Sequence, residues 1–230
     1  IVAISRPSNV TRLTRLGCLI AKQFAGRVVV AHVVMVESAP PNATRHPDRM
    51  GRAQRLLALA EETALDMGVR FQARVAVVRG VEDVLDDLAE AHHARAIIMG
   101  YSERTHPQPG RGYDRLVDEV AARAPCSLVV ARFNRGGERY RRVLVPVARV
   151  LNMDVRRDLL TALRHQAGAE IDLVHFAASE AEAERMSAEL DQWLIERGVS
   201  AWVQPRVDIH PDPGPAIVAA CQGYDAVVLG

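Results

Sequence analysis

A chain of 230 residues, 49% hydrophobic and 25% charged, has enough apolar surface to bury a core as one large domain or two small ones. Twenty-nine Lys and Arg against 28 Asp and Glu leave a formal net charge of +1, which argues against a general nucleic-acid binder, because such proteins gain affinity by displacing phosphate counterions with many cations. The longest apolar runs, such as 28–36 with His32 inside it, reach strand length and fall far short of the roughly 20 residues of a membrane helix, while Cys18, Cys126 and Cys221 are too scattered for a disulfide framework or metal cluster and suit a reducing cytosol.

In chain order, Ile1-Val2-Ala3-Ile4-Ser5 reads as a strand. No methionine, basic region or cleavage site stands ahead of it, and the expectation is an excised piece of a longer protein. Leu13, Leu16, Gly17, Ile20 and Phe24 then share one face of a helix, with Ser8 or Asn9 as its cap. Val28-Val29-Val30-Ala31-His32-Val33 is a second strand, followed by a loop over 37–48 rich in Pro, Asn and Ser. Met50, Ala53, Leu57, Ala60, Ala64 and Met67 form the stripe of a second helix. The segment 71–78 alternates and suits a strand near an edge. Val81, Val84, Leu85, Leu88 and Ala89 make a third helix closing on His92-His93, and Ala96-Ile97-Ile98-Met99-Gly100 a fourth strand. Glu82, Asp83, Asp86 and Asp87 lie off the apolar stripe near that helix's start, where negative charge suits the dipole, and are read as solvent-facing. Ala124-Pro125-Cys126-Ser127-Leu128-Val129-Val130 leads into a fifth strand, with Cys126 read as a small core residue.

The pattern then repeats. Val143-Leu144-Val145-Pro146-Val147 matches the opening strand, and Ile171-Asp172-Leu173-Val174-His175-Phe176 matches the strand that carries His32. Met67-Gly68-Val69 matches Arg197-Gly198-Val199, and Ile98-Met99-Gly100 matches Val228-Leu229-Gly230; both pairs lie 130 positions apart (198 − 68, 230 − 100). The second copy is expected to be C-terminally incomplete. Continuous apolar strands alternating with amphipathic helices predict an α/β fold, two tandem doubly wound parallel-sheet domains. The expected boundaries are 1–133 for the first, 134–141 for a polar linker, and 142–230 for the second. The linker region's five arginines, Arg132, Arg135, Arg139, Arg141 and Arg142, are read as a solvated stretch.

A strand ending His32-Val33-Val34, Gly80 ahead of the third helix, the strand end Ile98-Met99-Gly100 and the closing Ala124-Pro125-Cys126 before an apolar strand together resemble the universal stress protein family over nearly the whole chain. The resemblance implies an adenine nucleotide alpha hydrolase-like fold. In ATP-binding members it implies a crevice in which an Asp after the first strand holds the nucleotide and a glycine motif after the fourth cradles the phosphates through backbone N–H groups. Carried onto this chain, that crevice falls on Ile4, Ser5, His32, Val34, Met99, Gly100, Tyr101, Gly110, Arg111, Gly112 and Arg115, with ATP or another adenine nucleotide as the implied cofactor. The chain departs from the pattern: Ser5 stands where the Asp is expected, Ala148 in the second copy, Glu103 replaces the second glycine, and Asp114 falls near the last. Arg104, Arg111 and Arg115 offer charge-assisted bonds in compensation.

The turn Ile4-Ser5-Arg6-Pro7-Ser8-Asn9 and the helix with Arg52-Ala53-Gln54-Arg55-Leu56-Leu57 are similar to the branch that forms cytoplasmic C-terminal domains of amino-acid permeases and cation antiporters. His32 and His175 occupy equivalent strand ends and are read as histidines bonded at the sheet end, in preference to metal ligands, since neither copy offers a co-ligand. No nucleophile elbow, Cys/His pair or intact phosphate loop is present, so no enzyme is expected. The first expectation is a cytoplasmic regulatory module at the inner face of the membrane, modulating a transporter by protein contact. The alternative is an adenine-nucleotide sensor using the first copy. Pairing through the edge strand 127–131 would join the two copies within a chain or make a homodimer.

Overall fold

The computed structural model of the protein describes residues 1–35, 47–78, 81–101, 113–133, 140–150 and 153–229. The chain divides into two compact units, Ile1–Gly136 and Gly137–Gly230, each an α/β layer structure around its own parallel sheet.

The first unit runs β1 (Val2–Ile4), α1 (Pro7–Gln23), β2 (Arg27–Met35), α2 (Pro47–Asp66), β3 (Arg70–Val78), α3 (Val81–Ala91), β4 (Ala96–Gly100), α4 (Tyr113–Arg123) and β5 (Ser127–Ala131). Its sheet has the order β3-β2-β1-β4-β5, every neighbour pairing parallel. The alternating strand β3 takes one edge and β5 the other, while the apolar strands β1, β2 and β4 fill the centre. Chain order reverses between β1 and β4, the topological switch at which doubly wound sheets open a crevice beyond their strand ends.

Helix α1 starts at Pro7, with Arg6 before it and no side-chain cap; neither Ser8 nor Asn9 caps it. A proline has no N–H to leave unsatisfied and a φ already suited to a helix, so the helix begins one residue before the expected caps. Its buried face, including Leu13, Leu16, Gly17 and Ile20, lies on β1. Gly17 permits that approach: a Cβ there would sit 2.5 Å from Val2 Cγ2 and 3.2 Å from Val28 Cγ2. On the other side of the switch, Leu85, Ala89, Ile97, Met99 and Val120 form one buried cluster, with Cys126 packed against it.

Asp86 does not face solvent. It is 7% exposed, and its carboxylate meets Arg123 Nε at 3.1 Å. Helix α4 packs beside α3 and brings its last-turn arginine over this position, a neighbour that the charge pattern of α3 alone does not reveal. Asp87 is exposed as expected. The side chains of Glu82 and Asp83 lie outside the described residues.

The second unit repeats the scheme with β6 (Arg142–Pro146), α5 (Met153–Ala167), β7 (Glu170–Ala177), α6 (Glu180–Glu196), β8 (Val203–Ile209), α7 (Pro213–Ala220) and β9 (Ala226–Val227), in the order β8-β7-β6-β9. Equivalent helix ends are built alike. Gly68 and Gly198 both adopt φ +65°, and Val69 N–H reaches Ala64 O at 2.9 Å as Val199 N–H reaches Leu194 O at 3.0 Å, the left-handed cap that favours glycine. At the entry to the second unit Asp225 Oδ2 accepts from Arg141 N and Arg142 N, each at 2.9 Å. The Arg142 guanidinium stacks over Tyr224 at 4.5 Å, and Tyr224 Oη donates to Asp172 Oδ2 at 2.7 Å. Burial first, then the bond to Asp172 and its charge, raises the Tyr224 phenol above its ordinary pKa. Among the described residues no helix is long and apolar enough to cross a membrane, and no group of three metal-ligating side chains is assembled.

Candidate functional site

Of the residues that the sequence singles out, Ile4, Ser5, Met99, Gly100 and Tyr101 lie at the switch point of the first unit. Ile4 closes β1, Ser5 is exposed after it, and α1 begins two residues later. Gly100 closes β4 opposite the start of α1: a Cβ on it would lie 3.1 Å from Leu13 Cδ1 and 3.3 Å from Asn9 Nδ2. Tyr101 continues from it, its N–H bonded to Ala131 O at 2.7 Å, and the residue is 38% exposed. Arg132 stands 5.7 Å over that ring and Arg12 5.8 Å over Phe133. The start of α1 and a glycine thus meet at the carboxyl end of the first sheet, with guanidinium groups over Tyr101 and Phe133, a combination suited to an anion.

Not every predicted residue offers its side chain to that crevice. Ile4 and Met99 are 3% and 4% exposed and serve the core, so only their backbones border the site. His32 is buried, its Nδ1 2.9 Å from Ile4 O. Since a carbonyl only accepts, Nδ1 carries the hydrogen and ties β2 to the end of β1. Val34 lies on β2 and Arg115 on α4 by backbone, their side chains outside the described residues, as are Gly110, Arg111, Gly112, Arg104 and Glu103 altogether.

The second unit repeats the histidine bond and then departs. His175 follows His32, and Val147 follows Ile4, by 143 positions (175 − 32, 147 − 4), and His175 Nδ1 lies 2.8 Å from Val147 O. At the place of Leu13, Arg156 (156 − 143) buries its side chain to 6% exposure and donates from Nη1 to Pro146 O at 3.0 Å. Desolvation lowers its pKa from the ordinary arginine value. Glu182 accepts from Ala178 N at 2.9 Å through Oε2 while its own N–H bonds Ser179 Oγ at 3.3 Å, a reciprocal cap on α6. Its Oε1 stands 3.8 Å from His175 Nε2. Arg156 and Glu182 escaped the sequence reading, although the repeat carries the signal for the first: an arginine where the aligned stripe has leucine.

A separate cavity of about 390 Å³ lies at the opposite end of the first sheet, lined by Phe24, Arg27, Arg70 and Arg95 among others. There Arg27 touches half-buried His92 at 3.4 Å while His93 is exposed.

Comparison with known proteins settles what this pair of sheets belongs to. The profile of the universal stress protein family matches residues 1–132. The chain belongs to the universal stress protein family. A universal stress protein from Archaeoglobus fulgidus DSM 4304 matches 100% of this chain and 86% of its own at TM-score 0.67 and 12% identity. A protein of unknown function from Pseudomonas aeruginosa PAO1 matches 100% of this chain and 80% of its own at TM-score 0.57 and 13% identity. These neighbours establish the tandem fold and nothing finer. By sequence, the chain is 24% identical over 235 residues to the Na(+)/H(+) antiporter NhaS5 of Synechocystis sp. (strain ATCC 27184 / PCC 6803 / Kazusa), an alignment that takes in 100% of this chain and 33% of the antiporter. This universal stress protein segment therefore spans about a third of that relative.

Proposed function

We propose that this tandem universal stress protein unit is a regulatory module that modulates a membrane transporter by protein contact, from the cytoplasmic face and without a catalytic step of its own. The observation that carries the reading is the match of the entire chain to one third of a cation antiporter, which is what a regulatory segment attached to a transport domain would give. The degraded crevice supports it: the carboxylate expected after β1 is replaced by exposed Ser5, and the sheet end is occupied by protein bonds from His32 to Ile4 O and, in the second unit, from His175 and Arg156 to Val147 O and Pro146 O. The open edge of β5, last in the order of its sheet, supplies a surface for a partner strand. Sodium-dependent proton exchange in membrane vesicles, measured on the full-length protein with this segment present and deleted, tests the reading. Altered exchange with unaltered membrane insertion is expected; identical exchange overturns it.

A second reading is favoured by the start of α1, Gly100 and the arginines around Tyr101 and Phe133: an adenine-nucleotide sensor in the first unit. Calorimetric titration with ATP, ADP, AMP and cyclic di-AMP, with and without magnesium, separates the two. Saturable binding that Gly100→Val abolishes supports the sensor; flat titrations up to millimolar ligand remove it.

A further inference from the structure

His175 and Glu182 meet at the carboxyl end of β7, outside the first-unit crevice. The Val147 carbonyl fixes the hydrogen of the neutral His175 ring on Nδ1, 2.8 Å away, so the ring's lone pair is on Nε2. That nitrogen is buried, in a residue 5% exposed, and has no hydrogen-bond partner. What it faces, at 3.8 Å, is Glu182 Oε1. The other oxygen of the same carboxylate is already committed to the Ala178 N–H. A bare nitrogen lone pair opposite a carboxylate oxygen is an arrangement short of one proton: adding it satisfies the buried nitrogen and turns an unfavourable contact into a charge-assisted bond.

We propose that His175 Nε2 and Glu182 Oε1 form a proton-binding site in the second unit, a pH-sensitive latch that joins the end of β7 to the first turn of α6. A proton from solvent adds to Nε2; no covalent bond between heavy atoms breaks, the ring becomes imidazolium, and Glu182 bridges it to Ala178 N–H. Several other described charges around β7 are engaged elsewhere. From α5, Arg156 donates to Pro146 O. From β8, the register partner of His175 is apolar Val207, and the flanking Arg206 and Asp208 pair with each other at 3.0 Å. Beyond β8, His210 accepts from Asp212 N and lies edge-on to Phe176, and Asp212 caps α7 at Gly214 N. On β7 itself, Asp172 is held by Tyr224 and Arg142. The latch does not depend on nucleotide binding by the first unit.

Nuclear magnetic resonance on the whole chain tests it. At about pH 8, long-range nitrogen–proton correlations are expected to show His175 as the Nδ1–H tautomer, the rarer form for a free ring. As the pH is lowered and the His175 ring takes up its proton, the amide signals of residues 178–182 are expected to move together with the His175 ring signals. Glu182→Gln and His175→Gln are each expected to abolish that amide movement. An Nε2–H tautomer in the wild-type chain, or amides that stay fixed while the ring takes up its proton, overturns the proposal without any variant. Amide movement that persists in Glu182→Gln overturns it as well.

Discussion

Replacing a helical glycine by alanine has opposite consequences in α1 and α2, and the contrast tests how α1 sits on the first sheet. In both helices the added methyl gains about 1 kcal/mol of intrinsic helix preference. At Gly51 it meets nothing closer than Arg55 Nη1 at 3.6 Å, the far end of a flexible side chain, so the gain is kept and the unit is stabilised by about 0.5–1 kcal/mol. At Gly17 the new atom would lie 2.5 Å from a methyl of Val2 and 3.2 Å from one of Val28. Val2 is 1% exposed and Val28 3%, and a β-branched side chain has few other rotamers to escape into. The helix must lift from the strands, which costs about 3 kcal/mol, the upper end of what overpacking a core incurs. The net expectation for Gly17→Ala is a loss of about 2 kcal/mol, or roughly 6 °C in the midpoint of a domain of this size, against a rise of about 2–3 °C for Gly51→Ala. Far-UV circular dichroism follows the melt. Both tryptophans, Trp193 and Trp202, belong to the second unit, so their fluorescence serves as a control for its integrity. A Gly17→Ala chain as stable as wild type, or more so, would refute the close seating of α1 on β1.

Further expectations follow from the histidine and tyrosine bonds. His32→Ala should cost about 1–3 kcal/mol in urea unfolding, the usual penalty for leaving a buried carbonyl partner unmade, because it removes the bond to Ile4 O; an unchanged midpoint would show that bond to be dispensable. Tyr224 has its phenol pKa raised by burial and by its bond to Asp172. A group whose folded pKa lies above its unfolded one stabilises fully below the unfolded value, about 10 for tyrosine, and loses that contribution as pH rises through the folded value. Tryptophan-monitored stability should therefore fall above about pH 10, and Tyr224→Phe should lower stability at neutral pH while flattening that alkaline fall. An equally steep fall in the variant would assign it to other groups.

The element order, the tandem repeat and the family were all legible in the chain, because apolar periodicity and turn glycines are local signals that recur 130 to 143 positions apart. Leu13, Leu16, Gly17 and Ile20 of the expected stripe lie on the buried face of α1, while Phe24 falls just past its end and is half-buried, and the alternating 71–78 segment is the edge strand β3. Signals of that kind survive without knowledge of neighbours. Local chemistry at the start of α1 was also written in the sequence but outweighed there, since Pro7 determines the first helical residue ahead of Ser8 and Asn9.

What tertiary structure alone decided are the partners of polar groups. Asp86 carries the charge pattern of a solvated helix face, yet α4 covers it and presents Arg123. The family resemblance puts Ile4 and Met99 at crevice positions, but their side chains are buried in the core. The pairing of His175 with Glu182, seven positions apart across a strand end and a helix cap, has no periodic trace. Periodicity determines which face of an element is apolar; only packing determines which carboxylate, guanidinium or imidazole arrives opposite another, and that is where the chemistry of these two units resides.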